Sequence, residues 1–71
     1  MAEFMFLGLR MTRGISKAEF ERQFGREIDA IYGDVLRKYK SMGLLLEEKG
    51  RIFLSRDGIH VSNSVMADFL P

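Results

Sequence analysis

The most regular pattern of apolar positions in this chain begins at residue 28. From there, apolar side chains recur every three or four residues, the spacing of one face of an α-helix: Ile28, Ile31, Tyr32, Val35, Leu36, Tyr39 and Met42. Acidic side chains lie early in this segment and basic ones late, as the helix dipole favours. The pattern predicts a helix that stops at Gly43, with close packing expected at the internal Gly33.

A second helix is predicted shortly before this one. Ser16 and Glu19 have the spacing of a capping box, and Ile15 and Phe20 occupy the positions of a hydrophobic staple. The helix is therefore expected to begin directly after Ser16. It should end at Gly25, because a left-handed glycine commonly follows the last turn.

The first helix is predicted over residues 2–11, which are apolar on nearly every side. Phe4, Leu7 and Met11 form one stripe, while other apolar side chains point elsewhere: Met5, Phe6 and Leu9. Because one small core cannot cover every direction around a helix, we expect part of this apolar surface to stay exposed and to dock on another domain. The absence of a clear N-cap suggests that the sequence begins within a longer protein.

The C-terminal third of the chain predicts a β-hairpin and a last helix. Residues 44–48 and 51–54 are short apolar segments joined by a Lys-Gly turn, which places Glu48 opposite Arg51. Ser55 can cap the following helix, whose apolar side would comprise Ile59, Val65, Met66, Phe69 and Leu70. The expected fold is mostly α with a small β-hairpin, winged-helix-like, in the order α-α-α-β-β-α.

Composition limits what such a chain can do. With 71 residues, 46% of them hydrophobic, residues 1–71 are expected to form a single domain. The sequence contains no cysteine, which excludes disulfides, iron-sulfur ligation and thiolate catalysis within these residues. No apolar run approaches the ~20 residues of a membrane span, and the start does not resemble a signal peptide. We therefore expect a soluble, cytoplasmic protein.

The winged-helix order raises nucleic-acid binding as a hypothesis, because the third helix of such a fold can read DNA. That helix and the hairpin carry carboxylates where phosphates would lie: Asp29, Asp34, Glu47 and Glu48. The net charge is only +1, and a basic trio late in the helix is typical of a solvated helix end: Arg37, Lys38 and Lys40. We therefore favour an interaction domain and keep a stand-alone nucleic-acid-binding domain as the alternative.

No catalytic, cofactor-binding or metal-ligating residue is predicted. His60 is the single histidine; it could be an axial haem ligand, but its neighbours favour a solvated surface position. Tyr32 and Tyr39 are seven residues apart, which is core spacing on one helix face. Five Met and six Phe residues are more than so small a domain readily hides, so some of them are expected on a surface patch.

Several segments together resemble one family. They are residues 3–10 (EFMFLGLR), Gly14-Ile15-Ser16, Phe24-Gly25, Gly43-Leu44-Leu45, residues 51–55 (RIFLS), Gly58, and residues 62–70, which begin SNSV and end with Phe69-Leu70. The chain resembles the carboxy-terminal domain of oxygen-independent coproporphyrinogen III oxidase-like proteins, a group that also includes haem chaperones. The likeness covers essentially the whole chain.

The resemblance implies a domain that follows a radical S-adenosylmethionine domain and packs on it. In that family a 4Fe-4S cluster and S-adenosylmethionine are held by the preceding domain through a C-x3-C-x2-C motif, so no such residue is carried over to this chain. The implied context is porphyrin or haem metabolism in the cytoplasm, and any enzymatic activity belongs to the parent protein. Ending at Phe69-Leu70-Pro71 favours the chaperone-like members over true oxidases.

Overall fold

Five helices and three short strands make up most of residues 1–70, the part of the chain that the computed structural model describes. In chain order they are α1 (Ala2–Leu9), β1 (Ile15–Ser16), α2 (Lys17–Phe24), α3 (Ile28–Ser41), β2 (Leu45–Glu48), β3 (Arg51–Leu54), α4 (Arg56–His60) and α5 (Ser62–Ala67). Within this part, no helix has the length and apolar character needed to cross a membrane. The mostly helical fold with a small antiparallel sheet confirms the predicted class.

The β-hairpin forms in the predicted register. Glu48 lies opposite Arg51, and the two connecting residues, Lys49 and Gly50, both have positive φ, at 51° and 76°. Left-handed residues at both turn positions are what a tight two-residue hairpin requires, because this turn matches the twist of the flanking strands. Local turn chemistry therefore sets the pairing of β2 with β3.

The sheet contains a third strand that the sequence analysis did not predict. Ile15 pairs with Ile52, and Ser16 pairs with Arg51, so that the strand order is β1-β3-β2. A strand of two residues is too short to show an alternating pattern, which is why the sequence indicated only a helix cap there. With β1 in place, the first six elements have the arrangement of a winged helix.

Helix α2 begins and ends where its caps predicted. The Ser16 hydroxyl accepts a hydrogen bond from the Glu19 backbone N–H at 3.2 Å, and Gly25 follows the helix with a φ of 72°. The Glu19 carboxylate pairs with Arg22 one turn along the helix. The serine half of the predicted capping box is thus formed, but the reciprocal half is not, because the Glu19 carboxylate pairs with Arg22.

Helix α3 departs from the sequence analysis near its first turn. Tyr32 has non-helical backbone angles (φ −115°, ψ 17°), and its hydroxyl donates a hydrogen bond to the Phe69 carbonyl at 3.3 Å. The close packing expected at Gly33 was wrong, since a Cβ there would meet only the Arg37 Nη1 atom at 3.5 Å. The helix ends as predicted before Gly43, whose φ is 76°.

The predicted last helix is divided into two. Ser55 caps α4 by accepting a hydrogen bond from the Gly58 N–H at 3.0 Å, but Val61 has non-helical angles and separates α4 from α5. The change of direction brings three of the five expected apolar residues into the core: Val65, Met66 and Phe69. The other two predictions were wrong, because Ile59 is 60% exposed and Leu70 is 55% exposed.

A single core joins the helices to one face of the sheet. Its twelve buried side chains are Met5, Leu9, Ile15, Phe20, Ile28, Leu36, Tyr39, Leu45, Ile52, Val65, Met66 and Phe69. The ring of Phe20 is fully buried and lies 4.7 Å from that of Phe24 and 5.6 Å from that of Phe4, measured between ring centroids. Such tilted and edge-on contacts are the favoured aromatic geometries, so α1 and α2 are held together by ring packing.

Helix α1 approaches the sheet most closely at Gly8. A Cβ atom added to Gly8 would lie 2.0 Å from Cγ2 of Ile15, closer than any two carbon atoms can come without bonding. Ile15 cannot easily yield, because it is 2% exposed and is paired with Ile52. Helix α1 can therefore pack this closely against β1 only at a residue that has no Cβ atom, which is glycine.

We expect Gly8→Ala to lower the free energy of unfolding by about 1–3 kcal/mol, the usual cost of overpacking. Gly33→Ala is the matched control, because it makes the same change in a helix where a Cβ has room. Alanine favours a helix by about 1 kcal/mol over glycine, so Gly33→Ala should be neutral or stabilising. Urea denaturation measures both; equal shifts for the two variants would contradict the close approach at Gly8.

Candidate functional site

Helix α1 turns two apolar residues into the core, whereas one other residue of the helix and one of the loop after it are exposed to solvent. Met5 and Leu9 are 0% and 2% exposed, whereas Leu7 and Met11 are 57% and 58% exposed. The expectation that part of the apolar surface of α1 stays uncovered is therefore confirmed. The helix itself ends at Leu9, two residues earlier than predicted, so that Met11 lies in the loop that follows.

Two shallow grooves flank this exposed surface and share Met11. The first has a volume of about 260 Å³ and lies between the end of α1 and the last helices, where Ile59 and Met66 line it. The second has a volume of about 350 Å³ and lies between α1 and the β1–α2 segment, where Leu7 lines it. We call the exposed residues Leu7, Met11 and Ile59 the α1 face.

The surface that a winged helix would present to DNA is neutralised by internal ion pairs. Each member of the basic trio late in α3 is engaged by a carboxylate: Arg37 by Asp34, Lys38 by Asp68 at 3.0 Å, and Lys40 by Glu47. Lysine and arginine supply most of the electrostatic attraction to phosphates, and cations paired with carboxylates contribute little net positive charge to it. This arrangement favours the interaction domain over the nucleic-acid-binding alternative.

Two of the carboxylates expected to repel phosphates have a structural role. Lys17 Nζ lies 2.9 Å from Asp29 and 3.1 Å from Glu47, and Glu47 also binds Lys40. This network ties α2, α3 and β2 together at the surface. The hydrogen bond from Lys40, followed by that from Lys17, lowers the pKa of Glu47, and the hydrogen bonds to Asp29 and Glu47 raise the pKa of Lys17.

A second polar cluster fastens the C-terminal end to α3. The Tyr39 hydroxyl donates to the carboxylate of Asp68, which also binds Lys38. The bond from Tyr39 is the main cause of the lowered pKa of Asp68, and the same bond raises the pKa of Tyr39. Tyr39 is 5% exposed, which confirms the core position predicted from its spacing. Tyr32 is only half-buried, at the kink in α3.

The remaining chemical candidates from the sequence are dispersed. His60 is exposed on α4, as predicted. Among residues 1–70, no three His, Asp or Glu side chains are grouped so that they could hold a metal ion. Of the Met and Phe residues, three methionines (Met1, Met11 and Met42) are largely exposed, whereas no phenylalanine is. The exposed surface patch is therefore made by methionine and aliphatic side chains.

Comparison with known proteins gives matches to one family. A family model described as the HemN C-terminal domain matches residues 1–61. The protein named Heme chaperone HemW from Bacillus subtilis (strain 168) is 37% identical over 68 residues, which cover 96% of this chain and 18% of that protein. The protein of the same name from Lactococcus lactis subsp. lactis (strain IL1403) is 32% identical over 68 residues, with the same two coverages. No solved structure matches the chain significantly.

We expect Glu47→Gln to lower the free energy of unfolding by about 1 kcal/mol at neutral pH, because the amide cannot form ion pairs with the two lysines. The pKa of Glu47 is lowered by folding, so its contribution is present above the unfolded-state pKa near 4.5 and is lost as the pH falls through the folded-state pKa. The stabilities of variant and wild type, measured by urea denaturation across this pH range, should therefore converge in acid.

The neighbouring carboxylate provides the control for this experiment. Glu48 is exposed and forms no ion pair with any of residues 1–70, so Glu48→Gln should leave the stability nearly unchanged at every pH. A stability difference for Glu47→Gln that stayed constant through the acid range would contradict the ion-pair network.

Duplex DNA is expected to bind this chain weakly, with a Kd no tighter than about 10⁻⁶ M at physiological salt, which is the range of non-specific contacts. The physical reason is that the cations of α3 are already paired. Fluorescence anisotropy with two duplexes of unrelated sequence measures both affinity and preference. Sub-micromolar binding to one duplex and not the other would establish the nucleic-acid alternative.

Proposed function

The chain belongs to the HemN C-terminal domain family, and from this membership we propose that it is the non-catalytic C-terminal domain of a haem chaperone-like protein. In this proposal its α1 face docks on the preceding radical S-adenosylmethionine domain. Binding of the 4Fe-4S cluster and of S-adenosylmethionine, and the handling of porphyrin or haem, are assigned to the parent protein, which is placed in the cytoplasm.

Two relatives support a chaperone over an oxidase as the parent. Both carry the name Heme chaperone HemW, and each aligns with 96% of this chain. The chain spans 18% of the length of these curated relatives, so most of such a protein lies outside this domain. Cluster-binding cysteines would have to come from that larger part, since this sequence has none.

The observation that carries the docking proposal is the exposure of the α1 face. Leu7, Met11 and Ile59 are each more than half exposed, at 57%, 58% and 60%. Met11 and Ile59 line the first groove, and Leu7 and Met11 line the second, so the three residues form a connected apolar surface. Contiguous apolar patches on soluble domains commonly mark interaction sites, and contacts between domains of one chain are a frequent case.

The preceding domain is the occupant that fits this surface. A family whose members are C-terminal domains has a large N-terminal neighbour in the same polypeptide, present at high effective concentration. Methionine and long aliphatic side chains adapt well to a partner surface. The α1 face therefore needs no separate protein to cover it.

Methionine oxidation tests this proposal in the full-length protein. Met11 and Met42 are 58% and 57% exposed in the isolated domain, so peroxide should oxidise them at similar rates in the absence of docking. If the α1 face is covered, Met11 should be oxidised several-fold more slowly than Met42, as measured by peptide mass spectrometry over a time course. Equal rates for the two methionines would refute the docking proposal.

A pair of variants separates docking from stability. Leu7→Gln should abolish the protection of Met11, because it places an amide in the apolar contact. Leu46→Gln is the control, since Leu46 is 43% exposed on β2 and lines neither of the two grooves. It should leave the protection of Met11 intact. Loss of protection in both variants would indicate general destabilisation and contradict a contact specific to α1.

A further inference from the structure

We infer that the surface covering the α1 face carries carboxylates that pair with a set of arginines around it. This inference rests on the proposed function and adds the chemistry of the partner surface. We call the three arginines, Arg10, Arg13 and Arg51, the arginine rim. They are separated along the chain, and the fold brings them to the same side of the molecule.

The arginine rim borders both grooves beside α1. Arg10 lines the first groove, and Arg13 and Arg51 line the second. All three side chains are exposed. Each of the three arginines therefore lines a groove that Met11 also lines.

The rim arginines have no ion-pair partner among residues 1–70, and they line the two grooves beside α1. Each basic residue of the α3 trio, in contrast, lies within ion-pair distance of a carboxylate. The carboxylate that lines the second groove, that of Glu19, is itself engaged by Arg22. The two grooves thus present three unpaired arginines and one carboxylate that is already paired, whereas the carboxylate of Glu3 lies at the other side of Leu7.

This charge is a local arrangement. The whole chain has eleven basic and ten acidic side chains, so an even distribution would leave no region strongly positive. A guanidinium group binds a carboxylate through two parallel hydrogen bonds, and arginine and methionine are both enriched in protein interfaces. Exposed apolar side chains flanked by arginines predict a partner surface that is apolar at its centre and acidic at its edge.

A nucleic-acid phosphate backbone fits this surface less well than a protein does. The arginines flank Leu7 and Met11, so a bound polyphosphate strand would cover exposed apolar side chains with charge. A protein surface with aliphatic side chains and carboxylates satisfies both features at once. Its position next in the polypeptide makes the preceding domain the partner to which we assign the carboxylates.

The test uses the full-length protein and the oxidation rate of Met11 relative to that of Met42. The variant Arg13→Gln/Arg51→Gln removes two rim charges, and the control Arg26→Gln/Lys49→Gln removes two charges from exposed residues that line neither groove. We expect the rim variant to raise the relative oxidation of Met11 about three- to tenfold, the effect of losing two exposed ion pairs. The control should leave it unchanged.

The dependence of Met11 protection on ionic strength is a second, independent test. Raising the ionic strength from about 0.1 M to about 1 M shortens the Debye length from about 10 Å to about 3 Å, which should weaken docking in the wild type and change the rim variant less. If Met11 is unprotected in the wild type, the proposed function fails and the present inference fails with it. If Met11 is protected but the rim variant behaves like the control and salt has no effect, docking stands and the acidic partner surface is refuted.

Binding of duplex DNA to the full-length protein distinguishes an acidic protein surface from a phosphate backbone as the partner of the arginines. If the rim variant leaves Met11 protected and instead lowers the affinity of the full-length protein for DNA, as measured by fluorescence anisotropy, the arginines serve phosphate binding and the inference is overturned.

Discussion

The contact between Gly8 of α1 and Ile15 of β1 determines which side of the first helix is left uncovered. Ile15 is held by its pairing with Ile52 in the central strand, so the sheet cannot move away from the helix. With α1 pressed onto β1 at Gly8, Met5 and Leu9 must point into the core, and Leu7 must point out. The exposed α1 face is thus a geometric consequence of a position where only glycine fits.

The same short strand also organises the helices beyond it. Ser16 pairs with Arg51 and at the same time caps α2, which places Phe20 at the centre of the aromatic cluster. A domain of this size buries only about 60% of the surface of its unfolded chain, so each of these contacts is a substantial part of its stability. The ion pairs around Glu47 and Asp68 then fasten the periphery, where little apolar surface remains to be buried.

Sequence reasoning succeeded where the determining residues are close together along the chain. The cap at Ser16, the stop at Gly25 and the Lys-Gly turn each depend on a few neighbouring positions, and all three were predicted from them. Strand β1, the break at Val61 and the exposure of Ile59 depend on segments distant in sequence, which a periodic pattern does not report.

The exposed α1 face was predictable because a helix that is apolar on all sides has more apolar surface than one small core can cover. The arginine rim was not predictable, because the tertiary fold determines which charged side chains lie close enough to form ion pairs.

The chain has the shape of a winged helix, but the basic side chains of its third helix are paired with carboxylates of the same domain. In a DNA-binding protein of this fold the third helix must be available to the major groove, where net positive charge favours phosphate contacts. Here Lys40 is bound to the hairpin and Lys38 to the end of α5, so α3 holds its own domain together. Three unpaired arginines lie instead beside the grooves next to α1, on the side where apolar residues are exposed. A winged-helix scaffold whose third helix is held by internal ion pairs leaves the apolar side of its first helix as the larger unpartnered surface, which is the surface that the docking proposal uses.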